Sequence, residues 1–299
     1  MDFIQFITLQ AKLKAATGHL RTATNYRAAA RSFYSFLHAK GHQTVDISTI
    51  TPQLMSEFEH YLLHVRGICR NTSSFYMRQL RAAYNRAAGE GYCKDCQPFR
   101  DVYKGIGVTR KRAISTDVLH RLFNLNLSQR PRLAFARDLF CFSFLARGIA
   151  FVDLAHLRKN NLEGSHLIYT RAKTGQQITV EVVPAMRQII QRWEQRSNPH
   201  LFPILPQSSD QIAYETALRK YNRRLNTISQ RYQLSVNLTS YIARHSWASE
   251  AYRLGVPIQT ISTCMGHTTE LTTRIYLQTL STAQVDLSAR MVVDAYTYI

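Results

Sequence analysis

The sequence predicts a mainly α-helical protein of two domains, the second of which carries one small β-hairpin or sheet. Three observations predict this class. Apolar residues recur at helical spacing through most of the chain, periodicity is lost over residues 97–113, and one stretch has strongly β-prone runs. The chain has 299 residues, enough for two hydrophobic cores, and 45% of them are apolar, as in ordinary folded proteins. We therefore expect a helical domain over residues 1–96, a linker over 97–113 and a mainly helical domain over 114–299.

Three helices are predicted within the first domain. Residues 22–40 carry aromatic and aliphatic side chains at helical spacing. Thr51 and Pro52 form a typical helix start, with Thr51 as the cap and Pro52 in the first turn. The third helix is expected to begin near residue 71 and to end near residue 89, where glycines follow.

Net charge is the most informative bulk property of the chain. Lys and Arg number 38 against 19 Asp and Glu, which gives a net charge of +19 and a pI near 10. Residues 1–110 carry 15 basic and 7 acidic side chains, so the excess is +8 there and +11 in residues 111–299. Basic surface on both halves favours a polyanionic partner, because each neutralised phosphate releases counterions. Charge alone does not separate ribosomal, regulatory and enzymatic proteins.

Six basic residues are candidates for contact with a DNA backbone. Four are expected on one face of the third predicted helix and two lie in the linker: Arg70, Arg78, Arg81, Arg86, Lys111 and Arg112. A solvated helix face is the alternative for the first four, and the helical pattern does not decide between the two.

The β signal lies in the second domain. Two β-prone runs, residues 167–172 and 176–182, flank Thr174 and Gly175, and a turn pair between two such runs indicates a hairpin. Lys173 then lies beside the turn. A solvated turn lysine is the ordinary interpretation of that position.

Three short helices are predicted between residues 239 and 278. The first begins at Thr239 or Ser240 and ends at Gly255, and the second has Pro257 in its first turn. The third is capped by Thr268 or Thr269. This arrangement puts three polar side chains at helix ends or beside loops, where they can converge: Arg244, His267 and Tyr276.

The residues of this region carry a family resemblance. Four blocks in order and at the right spacing resemble the C-terminal signature of the tyrosine recombinase (phage integrase) family: Arg244-His245-Ser246-Trp247-Ala248, Leu254-Gly255-Val256, Met265-Gly266-His267 and Thr273-Arg274-Ile275-Tyr276. The resemblance implies a SAM-like core-binding domain for residues 1–96 and the family's catalytic domain for residues 114–299. The amino-acid sequences of residues 146–153 and 242–247 resemble those of the branch of this family that is common in Bacteroides-like bacteria.

The resemblance implies a DNA strand transferase that works through a 3′-phosphotyrosyl intermediate. Tyr276 would be the nucleophile, Arg244 and His267 would surround the phosphate, and Lys173 would be the general acid. These residue types suit the chemistry, because a phosphodiester anion needs a planar cationic partner and a phenol needs positive charge or a base to become a nucleophile. The intermediate stores the bond energy, so no cofactor or metal is expected.

Two positions depart from the family pattern. Tyr241 takes the place of a histidine, and because it is a poor base near neutral pH the base role passes to His267 or to water. Ala150 takes the place of the first catalytic arginine, and Arg147 lies three residues earlier. Two arrangements would let Arg147 reach the phosphate. The helix that carries Asp153 could extend back to residue 147, so that positions 147 and 150 share a face, or Arg147 could lie in the loop that enters this helix. A surface arginine is the alternative. His245 and Asp153 are expected in structural and orienting roles.

Functions other than site-specific DNA recombination stay open, and so does the type of recombination. The recombinase is expected to be a DNA invertase or a mobile-element integrase, with a mild preference for the invertase because the chain begins almost directly with the core-binding helices. A type IB topoisomerase-like enzyme and a non-catalytic DNA-binding regulator are the alternatives.

Double-stranded DNA is the expected partner, with a tetrameric synapse and possible accessory DNA-bending proteins. Apolar residues between positions 285 and 295 predict a helix that docks on its own domain or on a neighbouring subunit.

The chain shows no sign of export or membrane insertion. It has no run of about 18 apolar residues and no basic-then-apolar leader, so we expect a cytoplasmic, nucleoid-associated protein. Its five cysteines are expected to be reduced. Cys93 and Cys96 form a Cys-x-x-Cys with no second pair at zinc spacing, which favours an accidental pair over a metal site.

Overall fold

The computed structural model describes residues 1–107, 113–206, 211–276 and 290, without the side chains of residues 275 and 276. The chain divides into two compact units, Met1–Thr109 and Arg110–Ile299. Both are mainly helical, and the described part of the second contains a small antiparallel sheet, as the sequence predicts. No helix within the described residues is long and apolar enough to span a bilayer.

The described residues of the first unit form four α-helices and a short 3-10 turn over Ile47–Thr49. The α-helices are α1 (Phe3–Ala16), α2 (Leu20–Ala39), α3 (Pro52–His60), which continues as a π-helical turn over Tyr61–Val65, and α4 (Arg70–Gly89). The Thr51 hydroxyl accepts a hydrogen bond from the backbone N–H of Leu54 at 3.2 Å, which confirms the predicted cap. The sequence pattern does not reveal α1, because the apolar residues Leu9 and Leu13 are exposed and obscure its buried face.

Aromatic side chains form the core of the first unit. Phe33 meets Phe58 at a ring distance of 5.0 Å and Phe3 at 6.0 Å, both edge to face. Phe99 and Val102 are buried in the same core, so residues 97–107 of the expected linker pack on this unit.

The second unit contains eight helices and three strands among its described residues. They are α5 (Thr116–Phe123), α6 (Pro131–Leu145), α7 (Phe151–His156), β1 (Leu162–Glu163), β2 (His166–Thr170), β3 (Gln177–Glu181), α8 (Pro184–Trp193), α9 (Gln211–Arg231), α10 (Ser240–Arg253), α11 (Ile258–Cys264) and α12 (Glu270–Tyr276). Helix α6 is apolar on most sides because it packs against α5, α8, α9 and α10. The strands are ordered β1-β2-β3, and β2 pairs with β3 as the predicted hairpin.

The three short helices before residue 277 follow the prediction with one difference. Helix α10 begins after Thr239 and is followed by Gly255, whose φ is +83°. Pro257 is the N-cap residue of α11 and does not lie inside its first turn. The helix predicted between residues 285 and 295 lies outside the described residues, except for position 290.

Candidate active site

The buried guanidinium of Arg244 lies at the centre of the candidate site. Arg244 is in the second turn of α10 and only 4% exposed. Its Nη1 donates to the carbonyl of Gly148 at 2.7 Å, and its Nη2 donates to the carbonyl of Met265 at 2.5 Å and to Nε2 of His267 at 3.0 Å. Two loops that are distant in sequence therefore meet around one positive charge.

The close approach of one of these loops depends on a glycine. Gly148 has a left-handed backbone with a φ of +72°, and a Cβ built on it would lie 2.7 Å from the Cα of Arg244. Real side chains do not come that close to backbone. Any other residue at position 148 would therefore push the loop and Arg244 apart.

Arg147 lies in the loop between α6 and α7. Helix α7 begins at Phe151 after an extended Ala150, and Arg147 itself has a φ of +58°. The alternative in which α7 extends back to Arg147 is therefore wrong, because left-handed backbone at two successive residues cannot continue a helix. The structure agrees with the alternative in which Arg147 lies in the loop that enters α7. The partly exposed side chain donates from Nη1 to the carbonyl of Thr179 on β3 at 3.2 Å and contacts Sγ of Cys264 at 3.9 Å.

His267 is buried between Arg244 and α12, and its two ring nitrogens have different roles. An arginine has only donors, so Nε2 must accept the hydrogen bond from Arg244. Nδ1 lies 2.7 Å from the hydroxyl oxygen of Thr273 and must then carry the proton and donate it. Burial, and after it the positive charges of Arg244, Arg171 and Lys173, together lower the pKa of His267 to about 4. The ring is therefore neutral at physiological pH.

The hairpin turn that carries Lys173 is fixed to the rest of the site on two sides. Asp153 accepts a hydrogen bond from the backbone N–H of Ala172 at 2.9 Å, and burial raises the pKa of this carboxyl group. Lys173 itself is exposed on the turn. Its charge is close enough to lower the pKa of His267.

The other side of the turn binds the segment that leads into His267. The Nη1 of Arg171 and the hydroxyl of Thr174, at 3.2 Å, both donate to the carbonyl of Gly266. Gly266 has a left-handed backbone with a φ of +61°, which favours glycine, although a Cβ there would meet only flexible side chains, the nearest of them the end of Ile178 at 2.8 Å. The turn and the His267 segment are therefore held as one unit.

Tyr241 and His245 occupy different environments on α10. Tyr241 lies in the first turn and is 54% exposed, and its ring stacks on that of His245 at 6.4 Å. His245 is buried, next to Arg244 in the chain but about 100° around the helix. Tyr241 is therefore the member of this pair that solvent and a ligand can reach.

Tyr276 is the last residue of α12, nine positions after His267. Its side chain lies outside what the structure describes. Its backbone follows Thr273 by one helical turn, and Thr273 is fully buried against His267.

The basic residues of α4 do not share one face as expected. At 100° per residue, Arg70, Arg78 and Arg81 lie within about 80° of one another, whereas Arg86 lies about 140° from Arg81. Arg86 pairs instead with Glu90 at 2.8 Å. The guanidinium of Arg70 lies 4.0 Å above the ring of Tyr103. Lys111 and Arg112 lie outside the described residues.

The sequence pattern missed two residues of this site, Arg171 and Thr273. A signal for Arg171 exists, because it continues the alternation of buried residues Leu167 and Tyr169 along β2. Nothing in the local pattern distinguishes Thr273 from its neighbour Thr272. Among the residues that the structure describes, no group of three or more His, Cys, Asp or Glu side chains is placed to hold a metal ion.

Two family models match the chain. Residues 2–102 match the phage integrase SAM-like domain, and residues 130–282 match the phage integrase family. No curated protein matches the chain significantly.

Solved structures share the fold at low sequence identity. A fragment of the Tn1549 transposon integrase in complex with a circular intermediate DNA has a TM-score of 0.71 at 14% identity, over 97% of this chain and 99% of that one. A fragment of lambda integrase, solved as a dimer bound to a COC′ core site, has a TM-score of 0.68 at 15% identity, over 92% and 95%. A lambda integrase tetramer bound to a Holliday junction gives 0.68 at 14%, over 93% and 77%.

The contact between Gly148 and Arg244 predicts a specific loss of stability in Gly148→Ala. The matched control is Gly255→Ala, because Gly255 is also left-handed but a Cβ there meets nothing within 4 Å. Both variants lose about 1–2 kcal/mol from the backbone conformation. We expect Gly148→Ala to lose about 1–3 kcal/mol more from the steric clash. Urea unfolding measures both, and equal losses would contradict the close approach described for Gly148.

The low pKa of His267 predicts a pH-dependent stability. The pKa is near 6.5 in an unfolded chain and about 4 here, so between these values only the unfolded chain binds the proton. The contribution is therefore fully present above pH 6.5 and is lost as the pH falls toward 4, by up to about 3 kcal/mol. Urea unfolding from pH 4 to 7 measures it against His267→Gln, which lacks the titration. If the free energies of unfolding of the two proteins changed with pH in parallel, the result would argue against a depressed pKa of His267.

Proposed function

Because the chain belongs to the phage integrase family and is a site-specific tyrosine recombinase, we propose that its strand transfer takes place at the Arg244 cluster with Tyr276 as the nucleophile. The buried charge of Arg244 is the observation that carries this assignment. Four cations lie close to His267 or to Tyr169, namely Arg147, Arg171, Lys173 and Arg244. A phosphodiester anion is the ligand that such a cluster favours.

Unmet donors on Arg244 support the same conclusion. A guanidinium has five N–H donors, and three of those of Arg244 have acceptors among the described residues. The buried Nε has none within the same part of the chain. A buried donor without a partner costs free energy, so its presence in a folded site favours a ligand that supplies the acceptor.

The proposed cleavage step exchanges one phosphoester bond for another. The phenol oxygen of Tyr276 forms a bond to phosphorus while the bond from phosphorus to the 5′ oxygen breaks. Lys173 gives a proton to the leaving 5′ oxygen. When the phosphate binds, Nη2 of Arg244 moves its hydrogen bond from Nε2 of His267 to a phosphate oxygen, and the lone pair released on Nε2 accepts the proton of the phenol. A 5′ hydroxyl from another strand then attacks the phosphotyrosine in the reverse sense, so religation needs no outside energy source.

The phosphate itself improves His267 as a base. The pKa of His267 is low partly because three cations surround it. An anion bound among those cations favours the imidazolium and raises the pKa toward its ordinary value. Tyr241 is exposed beside the site and keeps a hydrogen-bonding role to DNA, because a phenol is a poor base near pH 7.

Arg147 takes the role of the arginine that Ala150 replaces. Its backbone precedes Gly148, which contacts Arg244, and its guanidinium is held between β3 and α11 without being fully buried. It has donors to spare for a phosphate oxygen. Two arginines can then divide the non-bridging oxygens between them.

The first unit is proposed to bind the DNA backbone through Arg70, Arg78 and Arg81, and Lys111 and Arg112 add to this contact. A tetrameric synapse is proposed by analogy with the lambda integrase tetramer on a Holliday junction. The Bacteroides-type branch, nucleoid association and accessory DNA-bending proteins are proposed on the sequence alone.

Tyr276→Phe is expected to abolish the covalent intermediate and to leave DNA binding unchanged, because it removes only the nucleophilic oxygen. The probe is a pool of nicked duplexes with randomised sequence around the nick, in which the short leaving strand diffuses away and traps the adduct. Denaturing gels detect the adduct, and sequencing of the trapped DNA gives the cleavage site. Tyr252→Phe, on α10, is the matched control. A full adduct yield from Tyr276→Phe would exclude Tyr276, and no adduct from the unaltered protein would favour a non-catalytic regulator.

Arg147→Ala is expected to slow adduct formation about 100-fold, as loss of one donor to transition-state charge does elsewhere. Arg187→Ala is the matched control, because Arg187 also donates to a backbone carbonyl of the hairpin region, that of Gly164. Single-turnover trapping on the sequences selected above measures both. Normal cleavage by Arg147→Ala would rule out the displaced arginine.

A further inference from the structure

The hydrogen bond between His267 and Thr273 has consequences beyond packing. Thr273 is fully buried in α12, and its hydroxyl oxygen lies 2.7 Å from Nδ1 of His267. The proposed function does not use this hydroxyl.

The direction of this hydrogen bond follows from the other side of the ring. Arg244 donates to Nε2 at 3.0 Å. If the hydroxyl of Thr273 also donated, both nitrogens would have to be unprotonated, and the ring would be an imidazolate, which is not stable in water near neutral pH. Nδ1 therefore carries the proton, and Thr273 accepts it.

We propose that Thr273 is a positioning residue, whose hydroxyl selects the His267 tautomer with an unprotonated Nε2 and ties that ring to the helix carrying Tyr276. This inference rests on the proposed function and deepens it. The other tautomer would place an N–H of His267 against an N–H of Arg244. It would also leave Nε2 unable to accept the phenol proton.

The second part of the proposal concerns the position of α12. Thr273 precedes Tyr276 by three residues, which is one helical turn and a rise of about 4.5 Å. The hydrogen bond therefore fixes the ring and the register of α12 together. A rotation of α12 that moved Tyr276 would also break the contact that orients His267.

Among the residues that the structure describes, the charged groups that shift the pKa of His267 are all positive. They are Arg244 from α10 and Arg171 and Lys173 from the hairpin, while Asp153 of α7 faces Arg171. The hydroxyl of Thr273 is the neutral acceptor in this set, and it interacts more strongly with the imidazolium than with the neutral ring. Its removal should therefore lower the pKa of His267.

The test compares Thr273→Val, which keeps the shape and removes the hydroxyl, with Thr273→Ser, which keeps the hydroxyl. Thr272→Val is the matched control, because the hydroxyl of Thr272 bonds that of Thr269 at 3.2 Å and does not contact His267. Single-turnover adduct formation is measured at saturating DNA on the trapped duplexes. We expect Thr273→Val to be about tenfold slower, as for a lost neutral hydrogen bond. Thr273→Ser should recover most of the rate, and Thr272→Val should match the unaltered protein.

Two readouts separate positioning from mere packing. DNA affinity should be unchanged in Thr273→Val, while the acid limb of its pH–rate profile moves to lower pH. A normal rate with an unmoved profile would overturn the proposal, and so would a Thr273→Ser variant as slow as Thr273→Val.

The tautomer can also be measured without DNA or activity. Two-bond ¹H–¹⁵N spectra at pH 7, with His267 assigned from His267→Gln, should show the Nδ1–H form in the unaltered protein and a mixture in Thr273→Val. An Nε2–H form in the unaltered protein would overturn the proposal even if Thr273→Val failed to fold. The unaltered protein could form no adduct and still show the Nδ1–H form of His267. In that case the proposed function would fail, and the role of Thr273 in setting the tautomer would stand.

Discussion

Burial of the Arg244 charge is the constraint around which the second unit is organised. An ion removed from water costs several kcal/mol unless its donors find acceptors. The acceptors for Arg244 are the carbonyls of Gly148 and Met265 together with Nε2 of His267. These residues come from the loop after α6 and from the segment between α11 and α12. The hydrogen bonds that offset the burial of this charge therefore form only when both segments are in place. Folding of this region and assembly of the site are the same event.

The hairpin joins this assembly through a second buried arginine. Arg171 donates to the carbonyl of Gly266, the residue between the two acceptors Met265 and His267. A short stretch of three residues thus serves two guanidinium groups, one from α10 and one from the hairpin. The exposed Lys173 gains a defined position from this contact although its own side chain extends into solvent. A flexible lysine side chain can therefore be held in place by a rigid turn.

The sequence predicted the elements of this site better than the contacts between them. The hairpin and the start of α10 follow from β-propensity and capping residues, which are local signals. The loop position of Arg147 stayed open because it depends on left-handed backbone, which Gly148 permits but does not require. The convergence of Arg244 and His267 was expected, but the contacts of Arg244 and Arg171 with backbone carbonyls were not predictable, since every residue carries a carbonyl. The error at Arg86 has a different origin, because similar charge on one helix does not imply a similar direction.

The use of carbonyl acceptors has a consequence for sequence variation in this protein. A side-chain partner can be lost by a single substitution, whereas a carbonyl remains whatever residue stands at its position. Met265 can therefore be exchanged for another residue of similar size without removing the acceptor that it offers to Arg244. Gly148 is the exception, because its own lack of a side chain makes the approach possible. Genetic drift is thus free to change other residues around the guanidinium while its hydrogen bonds are preserved. The tolerated changes stop at Gly148 and at His267, whose side chain is itself an acceptor.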